Sequence, residues 1–338
     1  MKATKIISAC AVLVALASCS NEHELSQQSA EDTPIRIQAN VGGITTRAGS
    51  DIQGSQFQAG ETIGIFLKEH LGASETNVMT YSNDITGTVN STDQSKIDLS
   101  PAQYFPSNGR SVDCLAIYPK QFNSANIDDN THSFSVEEDQ SADAKYKASD
   151  LMYAYKENTA RKTPIQLTFT HLLSKIIVEV VADASVNKDV LSDVYVDLLN
   201  TNKTIDITVD DIGQGNPSSA KSVSVVPNPS GSTTINLGHP TYSSGDTNTG
   251  EVAAIIVPQT INSSTDFIKV RLNKAGSDYA TYTYTPTADQ TFDGTKSYKY
   301  TITIKAGSIS VSNVTIAPWV DESSSLLGGS GNGDATLD

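Results

Sequence analysis

Cysteine is scarce in this chain of 338 residues, and its three cysteines are unevenly placed. Cys10 and Cys19 lie near the N-terminus, within or just after a short apolar run, and Cys114 is the third. If the N-terminal apolar segment with Cys10 is cleaved off and Cys19 is modified, Cys114 is the one thiol left. No disulfide can then form within the chain. The fold must then be stabilised by its hydrophobic core alone.

Basic residues are also few, with 23 lysines and arginines against 38 aspartates and glutamates and a formal net charge of −15. The acidic residues are scattered along the chain rather than clustered. This balance excludes nucleic acid as a partner, because binding to phosphates needs a basic surface. Long apolar runs are missing after the N-terminal one, so we expect no second membrane anchor.

Motifs for catalysis and metal binding are missing as well. The sequence has no GxSxG, no phosphate-binding glycine loop, no HExxH and no CxxC. None of the five histidines has metal-ligand spacing with another: His23, His70, His132, His171 and His239. We therefore expect no enzymatic activity, no cofactor and no metal ion.

Two other groups of polar residues have structural interpretations. His171, in TFTHLLSK, is interpreted as a hydrogen-bonded residue at the start of a strand. Two acidic groups lack the alternate-residue spacing of a calcium loop and are interpreted as solvated side chains: Glu137, Glu138 and Asp139, and Asp210 with Asp211.

The first nineteen residues predict export. Two lysines precede an apolar run that is too short to span a bilayer, and the run ends in LASC, residues 16–19. This ending resembles the lipobox of bacterial lipoproteins, in which the chain is cut before the cysteine and acyl chains are attached to it. We expect residues 1–18 to be the signal peptide, Cys19 to carry the lipid, and residues 19–34 to be a flexible tether.

A strand pattern follows the tether. In PIRIQANVGG the apolar residues Ile35, Ile37, Ala39 and Val41 alternate with polar ones, which predicts a strand with one buried face. We expect this strand at the edge of the first sheet. Arg47 comes shortly afterwards, in a segment predicted to be an exposed loop.

Short strand patterns then recur at regular intervals, separated by Gly, Pro, Asn and Asp, without alternating helices. They predict an all-β fold of two tandem β-sandwiches, residues 35–183 and 184–320, followed by a disordered tail of residues 321–338. The pattern over residues 164–182 is interpreted as one long strand. Residues 141–150 are compatible with a short helix or a loop.

Several segments, taken in order, resemble the fimbrillin family of lipoprotein-derived pilins, the subunits of type V pili. They are the lipobox, TTRAG, FQAGETIGIF, CLAIYP, DLMYA, LTFTHLLSKIIVEV, IIVPQT, KSYKYTITI and VTIAPW. The resemblance covers Cys19 to Trp319. It implies two transthyretin-like β-sandwich domains, in agreement with the strand count.

The resemblance also implies a role for Arg47. An arginine-specific extracellular protease would cut between Arg47 and Ala48, and the lipid anchor would be lost together with the strand that contains Ile35, Ile37 and Ala39. The exposed groove would accept a C-terminal strand of another pilin subunit. The implied location is the outer membrane surface before processing and a fimbrium afterwards.

The donor strand is less clear from the sequence, because Leu326 and Leu327 are the only strong apolar residues after Val320. One alternative is that the donor is SISVSNVTIAPWV, in which one-residue slippage places its apolar residues on a common face. These residues are Ile309, Val311, Val314 and Ile316. The other alternative is that the chain is not a stalk subunit, and tip, anchor and accessory positions stay open.

A different function also stays open, that of a monomeric surface lipoprotein that binds a glycan or a host receptor. Tyr282 and Tyr284 share one strand face, as do Tyr298 and Tyr300, and tyrosine rings can stack on sugars. Cross-strand aromatic pairs also stabilise sheets, and we adopt that interpretation. Trp319, the single tryptophan, is predicted to close the core of the second domain.

Overall fold

The computed structural model of the chain describes residues 33–42, 56–70, 80–120, 132–185, 194–209, 223–227, 231–242, 249–274, 277–305 and 308–319. These residues form 21 strands and one short helix, so the predicted all-β fold is confirmed. The helix, α1, has six residues, and across the described ranges no helix has the length and apolar character of a membrane span.

The elements of the first half are β1 Ile37–Val41, β2 Thr62–Glu69, β3 Thr80–Val89, β4 Lys96–Ser100, β5 Val112–Tyr118, β6 His132–Ser135, α1 Asp143–Ala148, β7 Met152–Thr159, β8 Ile165–His171 and β9 Ser174–Ala182. Those of the second half are β10 Val194–Thr201, β11 Thr204–Val209, β12 Val223–Pro227, β13 Thr233–Gly238, β14 Thr241–Tyr242, β15 Thr249–Ile256, β16 Gln259–Ile261, β17 Ile268–Lys274, β18 Ser277–Tyr284, β19 Gln290–Phe292, β20 Lys296–Lys305 and β21 Ser308–Pro318.

The first body is a seven-stranded sheet that closes on itself in the order β1-β4-β3-β2-β5-β7-β8. Its interior is filled by alternate apolar residues, because successive side chains of a strand point to opposite faces. In β5, for example, Cys114 and Ala116 face this interior, whereas Leu115 and Ile117 belong to a second core outside it. Both faces of β5 are therefore buried, which explains why its sequence is an unbroken apolar run after Asp113.

The second body has two main sheets, of order β13-β10-β17-β18 and β14-β15-β9-β20-β21. Their facing residues, such as Val196 on β10 and Val178 on β9, form the second core. Two smaller sheets, β12-β11-β6 and β16-β19, complete the described part. The β21 strand lies at one end of its sheet and pairs with β20.

The chain crosses between the bodies earlier than the predicted boundary after residue 183. The pattern over residues 164–182 is two strands, because the buried pair Leu172 and Leu173 separates β8 from β9. The β9 strand pairs with β15 and β20 of the second body, and β6 pairs with β11. Hydrogen-bonded pairing, which the apolar pattern does not encode, places these segments with partners from beyond residue 184.

Candidate functional site

The β1 strand is the first described strand of the chain, and its apolar face is buried as predicted. Ile37, Ala39 and Val41 are each at most 4% exposed, and Ile35, just before the strand, is 6% exposed. Asn40 lies on the opposite, exposed face. The buried residues pack with the side chains that line the interior of the barrel, including Ile97, Ile165, Leu167 and Phe169.

Both sides of β1 are paired, so it does not lie at a sheet edge as expected from the sequence. It runs parallel to β8, with Ile37 opposite Ile165 and Val41 opposite Phe169. It runs antiparallel to β4, with Ile37 opposite Ile97. The prediction of an edge strand was wrong because β4, a strand of five residues with two apolar side chains, was not recognised in the sequence.

Backbone hydrogen bonds extend the pairing beyond the ends of β1. The N–H of Ile35 donates to the carbonyl of Gln103, and the N–H of Phe105 donates to the carbonyl of Thr33, at 2.8 and 2.9 Å. At the other end, the N–H of Gly42 donates to the carbonyl of Phe169 at 2.9 Å. The segment 33–42 is thus held by backbone contacts along its whole length.

The two neighbours of β1 depend on it unequally. Over Ile165–Phe169, β8 pairs with β1, and among the described residues its pairs with β7 are Met152 with His171 and Tyr153 with Thr170. In contrast, β4 has its own antiparallel partner, β3. Removal of β1 would therefore leave most of β8 without a ladder partner, whereas β4 would keep one.

The candidate donor residues lie on β21, where they already have partners. Ile309, Val311 and Val314 pack against the second core, whereas Ile316 is 58% exposed. The register with β20 shifts between Tyr300, opposite Val314, and Ile302, opposite Val311. The shift falls at the position where the sequence alternation requires one. Cys19, Arg47 and Ala48 lie outside the described residues.

The tyrosines considered for glycan stacking belong largely to the second core. Tyr298 and Tyr300 are buried, and burial raises the pKa of the Tyr300 hydroxyl. The ring of Tyr284 lies 6.0 Å from that of Tyr300 and packs against the same core, as does Tyr282. These rings therefore stabilise the sheets and do not form an exposed platform.

His171 is hydrogen-bonded as predicted, but it ends β8 rather than beginning a strand. Its Nδ1 lies 2.8 Å from Oδ1 of Asp150, and both side chains are buried. Its ring stacks on Trp319 with centroids 3.8 Å apart and an interplanar angle of 6°. Trp319 is part of the second core, so the prediction that it closes this core is confirmed. No pattern in the sequence identifies Asp150 as the partner of His171.

The acidic group at residues 137–139 has protein partners. Glu137 accepts a hydrogen bond from Lys145, and Glu138 accepts one from Lys203, which lowers the pKa of Glu138. Asp139 accepts one from Ser141, which lowers its pKa. Among the described residues, no three His, Cys, Asp or Glu side chains are grouped so as to hold a metal ion. Asp210 and Asp211 lie outside the described ranges.

These features define an all-β protein in which the first described strand closes a seven-stranded barrel and ends six residues before Arg47. The chain belongs to the fimbrillin-like family, whose model matches residues 46–319, and the resemblance noted in the sequence is confirmed. The matched range begins one residue before Arg47, so neither β1 nor Cys19 lies within it.

Solved structures from Bacteroides match most of this chain, and those with TM-scores above 0.5 are similar to it in fold. One, described as a candidate cell adhesion protein of Bacteroides uniformis, is 18% identical, with 86% of this chain and 99% of that one covered and a TM-score of 0.56. Another, of the same description, from Bacteroides ovatus, is 15% identical, with 86% and 98% covered and a TM-score of 0.60. A fimbrial protein of Bacteroides vulgatus is 13% identical, with 84% and 99% covered and a TM-score of 0.42. The comparison with curated proteins gave no significant match.

Proposed function

We propose that the chain is a pilin subunit that is exported as a lipoprotein, cut after Arg47 and polymerised by exchange of β1 for a strand of another subunit. Membership of the fimbrillin-like family supports the general role. The observation that carries the exchange step is the position of β1, which is paired on both sides and fills the interior of the barrel from the N-terminal end of the described chain.

A single cut after Arg47 would separate β1 from every later strand that the structure describes. The cut alone changes little, because β1 stays bound by its backbone and side-chain contacts. Its departure is the costly step, since each buried apolar side chain contributes about 1.5–3 kcal/mol and the backbone pairs are lost as well. An opened groove of this kind binds an extended strand in preference to staying empty.

The lipid anchor belongs to the same proposal. Acyl chains on Cys19 hold the uncut chain at the outer membrane, and the cut after Arg47 removes anchor and strand together. The partners are then the arginine-specific protease and neighbouring pilin subunits. The donor is either β21 or a strand of a different pilin, which leaves the position of this subunit in the fimbrium open.

The proposal is tested by the N-terminus of the protein recovered from cell surfaces. We expect Ala48 in fimbrial material and acylated Cys19 in the membrane-bound precursor, as identified by mass spectrometry. In vitro, an arginine-specific protease should cut the purified precursor at Arg47 before Arg110, Arg161 and Arg271, which lie close to strands or within them.

Cleavage kinetics of Arg110→Ala provide the matched control, because this variant removes a different arginine, whose side chain is 36% exposed. It should be cut at Arg47 at the wild-type rate. Recovery of acylated Cys19 as the sole N-terminus of surface protein, or a first cut at another arginine, would contradict the proposal.

A further inference from the structure

The β8 strand contacts two regions that lie far apart in the sequence. Its first five residues, Ile165–Phe169, pair with β1, and its last residue, His171, stacks on Trp319 just after β21. A single residue, Thr170, thus separates the end of the β1 ladder at Phe169 from the stacked histidine. A movement of β8 that tilts His171 changes the position of the imidazole relative to the indole.

The stack is held in a fixed geometry. The Nδ1 atom of His171 lies 2.8 Å from Oδ1 of Asp150, whose side chain is fully buried, and this contact fixes the plane of the imidazole. On Trp319, Nζ of Lys175 lies 5.9 Å from the ring centroid. Because the two rings are nearly parallel, a small rotation of β8 would break the flat contact between them.

The backbone at the end of β21 rests on the same junction. The N–H of Trp319 donates to the carbonyl of Thr295 at 2.6 Å, and the N–H of Thr295 donates to the carbonyl of Leu173 at 2.9 Å. Gly294 approaches the turn between β8 and β9 so closely that a Cβ there would lie 2.4 Å from the carbonyl oxygen of Leu172. The end of β21 is therefore fastened to the β8–β9 junction through both side chains and backbone.

We infer that the stack of His171 on Trp319 couples the occupancy of the β1 groove to the attachment of the C-terminal end of β21. This inference rests on the proposed function, because it requires that β1 leaves the barrel. When β1 leaves, Ile165–Phe169 lose their ladder partner and β8 keeps the two pairs with β7. The last two residues of β8 stay paired to β7, so the unsupported part of the strand moves about this short anchor, the imidazole of His171 tilts, and Trp319 loses its flat contact. A subunit whose groove is still filled by its own β1 thus keeps the end of β21 attached at Trp319.

The single tryptophan makes the coupling measurable, because intrinsic tryptophan fluorescence reports Trp319 alone. The full-length precursor in detergent is compared with Ala39→Asp, which places a carboxylate on the buried face of β1 and expels the strand. The matched control is Asn40→Asp, which adds the same charge on the exposed face one residue away. We expect red-shifted emission and stronger acrylamide quenching for Ala39→Asp and wild-type values for Asn40→Asp.

Strand replacement tests the direction of the effect. A labelled peptide of residues 33–43 is titrated into Ala39→Asp, its binding is followed by anisotropy, and Trp319 emission is recorded in parallel. We expect the emission to return to the wild-type spectrum with the midpoint of peptide binding. In the double variant Ala39→Asp, His171→Ala, the peptide should bind while the emission no longer responds.

The possible results separate the inference from the proposed function. Peptide binding without a change in emission, or an unchanged response in the double variant, overturns the coupling and leaves strand exchange intact. Failure of the peptide to bind a folded Ala39→Asp protein overturns strand exchange, and the coupling with it. Should circular dichroism show that Ala39→Asp is unfolded, wild-type protein that has been cut after Arg47 and freed of β1 in mild urea takes its place.

Discussion

At the level of single residues, Gly42 and Ala39 limit which strand can replace β1. A Cβ at Gly42 would lie 3.2 Å from both the carbonyl oxygen of Phe169 and Cγ2 of Thr168, so a larger residue there must push β8 aside. Ala39 is the smallest of the buried residues on β1, and its neighbours in the barrel leave it almost no exposure. A well-matched donor strand therefore has a small residue two positions before its last apolar residue and a glycine just after it.

The contribution of one buried residue on β1 is open to measurement. Ile37→Ala should lower the free energy of unfolding of the precursor by about 2–5 kcal/mol, because the change removes buried methyl and methylene groups from a packed interior. Gln38→Ala, on the opposite face, should change it by less than about 0.5 kcal/mol beyond the loss of its side-chain contact with Gln166. Urea unfolding followed by circular dichroism gives both values. Equal effects of the two substitutions would show that β1 is not folded into the barrel in solution.

Residue patterns predicted burial better than they predicted contacts. The alternation in PIRIQANV indicated which side chains of β1 are buried, and the isolated Trp319 after an apolar strand indicated core closure. The stack of Trp319 on His171 was not predictable, because the two residues are distant in sequence. The alternation of apolar and polar residues describes a short segment and does not indicate which distant segment contacts it. The same holds for Asp150, which precedes β7 in an ordinary polar stretch.

At the level of elements, the unequal support of β4 and β8 determines how the barrel opens. Loss of β1 leaves β4 paired to β3 over four residue pairs, from Thr86 with Ser100 to Val89 with Ile97. It leaves β8 paired to β7 at its C-terminal end. Unpaired backbone groups in a buried position carry a large free-energy penalty, so the β8 side of the groove is the side that rearranges or captures a new strand first.

Hydrogen exchange distinguishes the two sides of the groove. After cleavage at Arg47 and removal of β1, the amides of Ile165–Phe169 should exchange much faster than in the intact precursor, because they have lost their ladder partner. The amides of β4 that pair with β3 should keep most of their protection. The control is cut protein that still retains β1, in which both strands should be protected. Equal loss of protection in β4 and β8 would contradict the asymmetry.

Most strands were predictable from the sequence, and the failures have physical causes. The strands β4, β6, β14 and β19 were missed because each is two to five residues long, too short for a repeating pattern to stand out from the flanking sequence. The break between β8 and β9 was missed because Leu172 and Leu173 continue the apolar run across the turn. Sequence periodicity shows which face of a strand is buried, but it carries no information on which strand pairs with it, so the crossing of β9 into the second body was hidden.

At the level of the whole molecule, the covalent link between β1 and the barrel keeps the precursor monomeric. An attached strand competes for its own groove at an effective concentration on the order of millimolar, which excludes a strand from another chain. Cleavage after Arg47 makes the interaction bimolecular, so a strand that dissociates is diluted and can be replaced. If β21 is also held until the groove empties, a subunit offers its C-terminal end only after it has been processed, and precursors cannot donate prematurely at the membrane.

This sequence of events predicts the behaviour of Arg47→Ala in assembly. The variant should fold and remain monomeric after treatment with an arginine-specific protease, because its groove stays filled by the attached β1. Wild-type protein under the same treatment should form a ladder of multimers that resists mild denaturant, since each inserted strand restores the lost backbone pairs and apolar contacts. Arg110→Ala, which removes an arginine elsewhere in the chain, should assemble like the wild type. Excess peptide of residues 33–43 should shorten the wild-type ladder by refilling the groove, and native gels and light scattering measure all four samples.

Multimer ladders from Arg47→Ala would show that assembly does not pass through the removal of β1, and the chain would then be better explained as a monomeric surface lipoprotein that binds a glycan or host receptor.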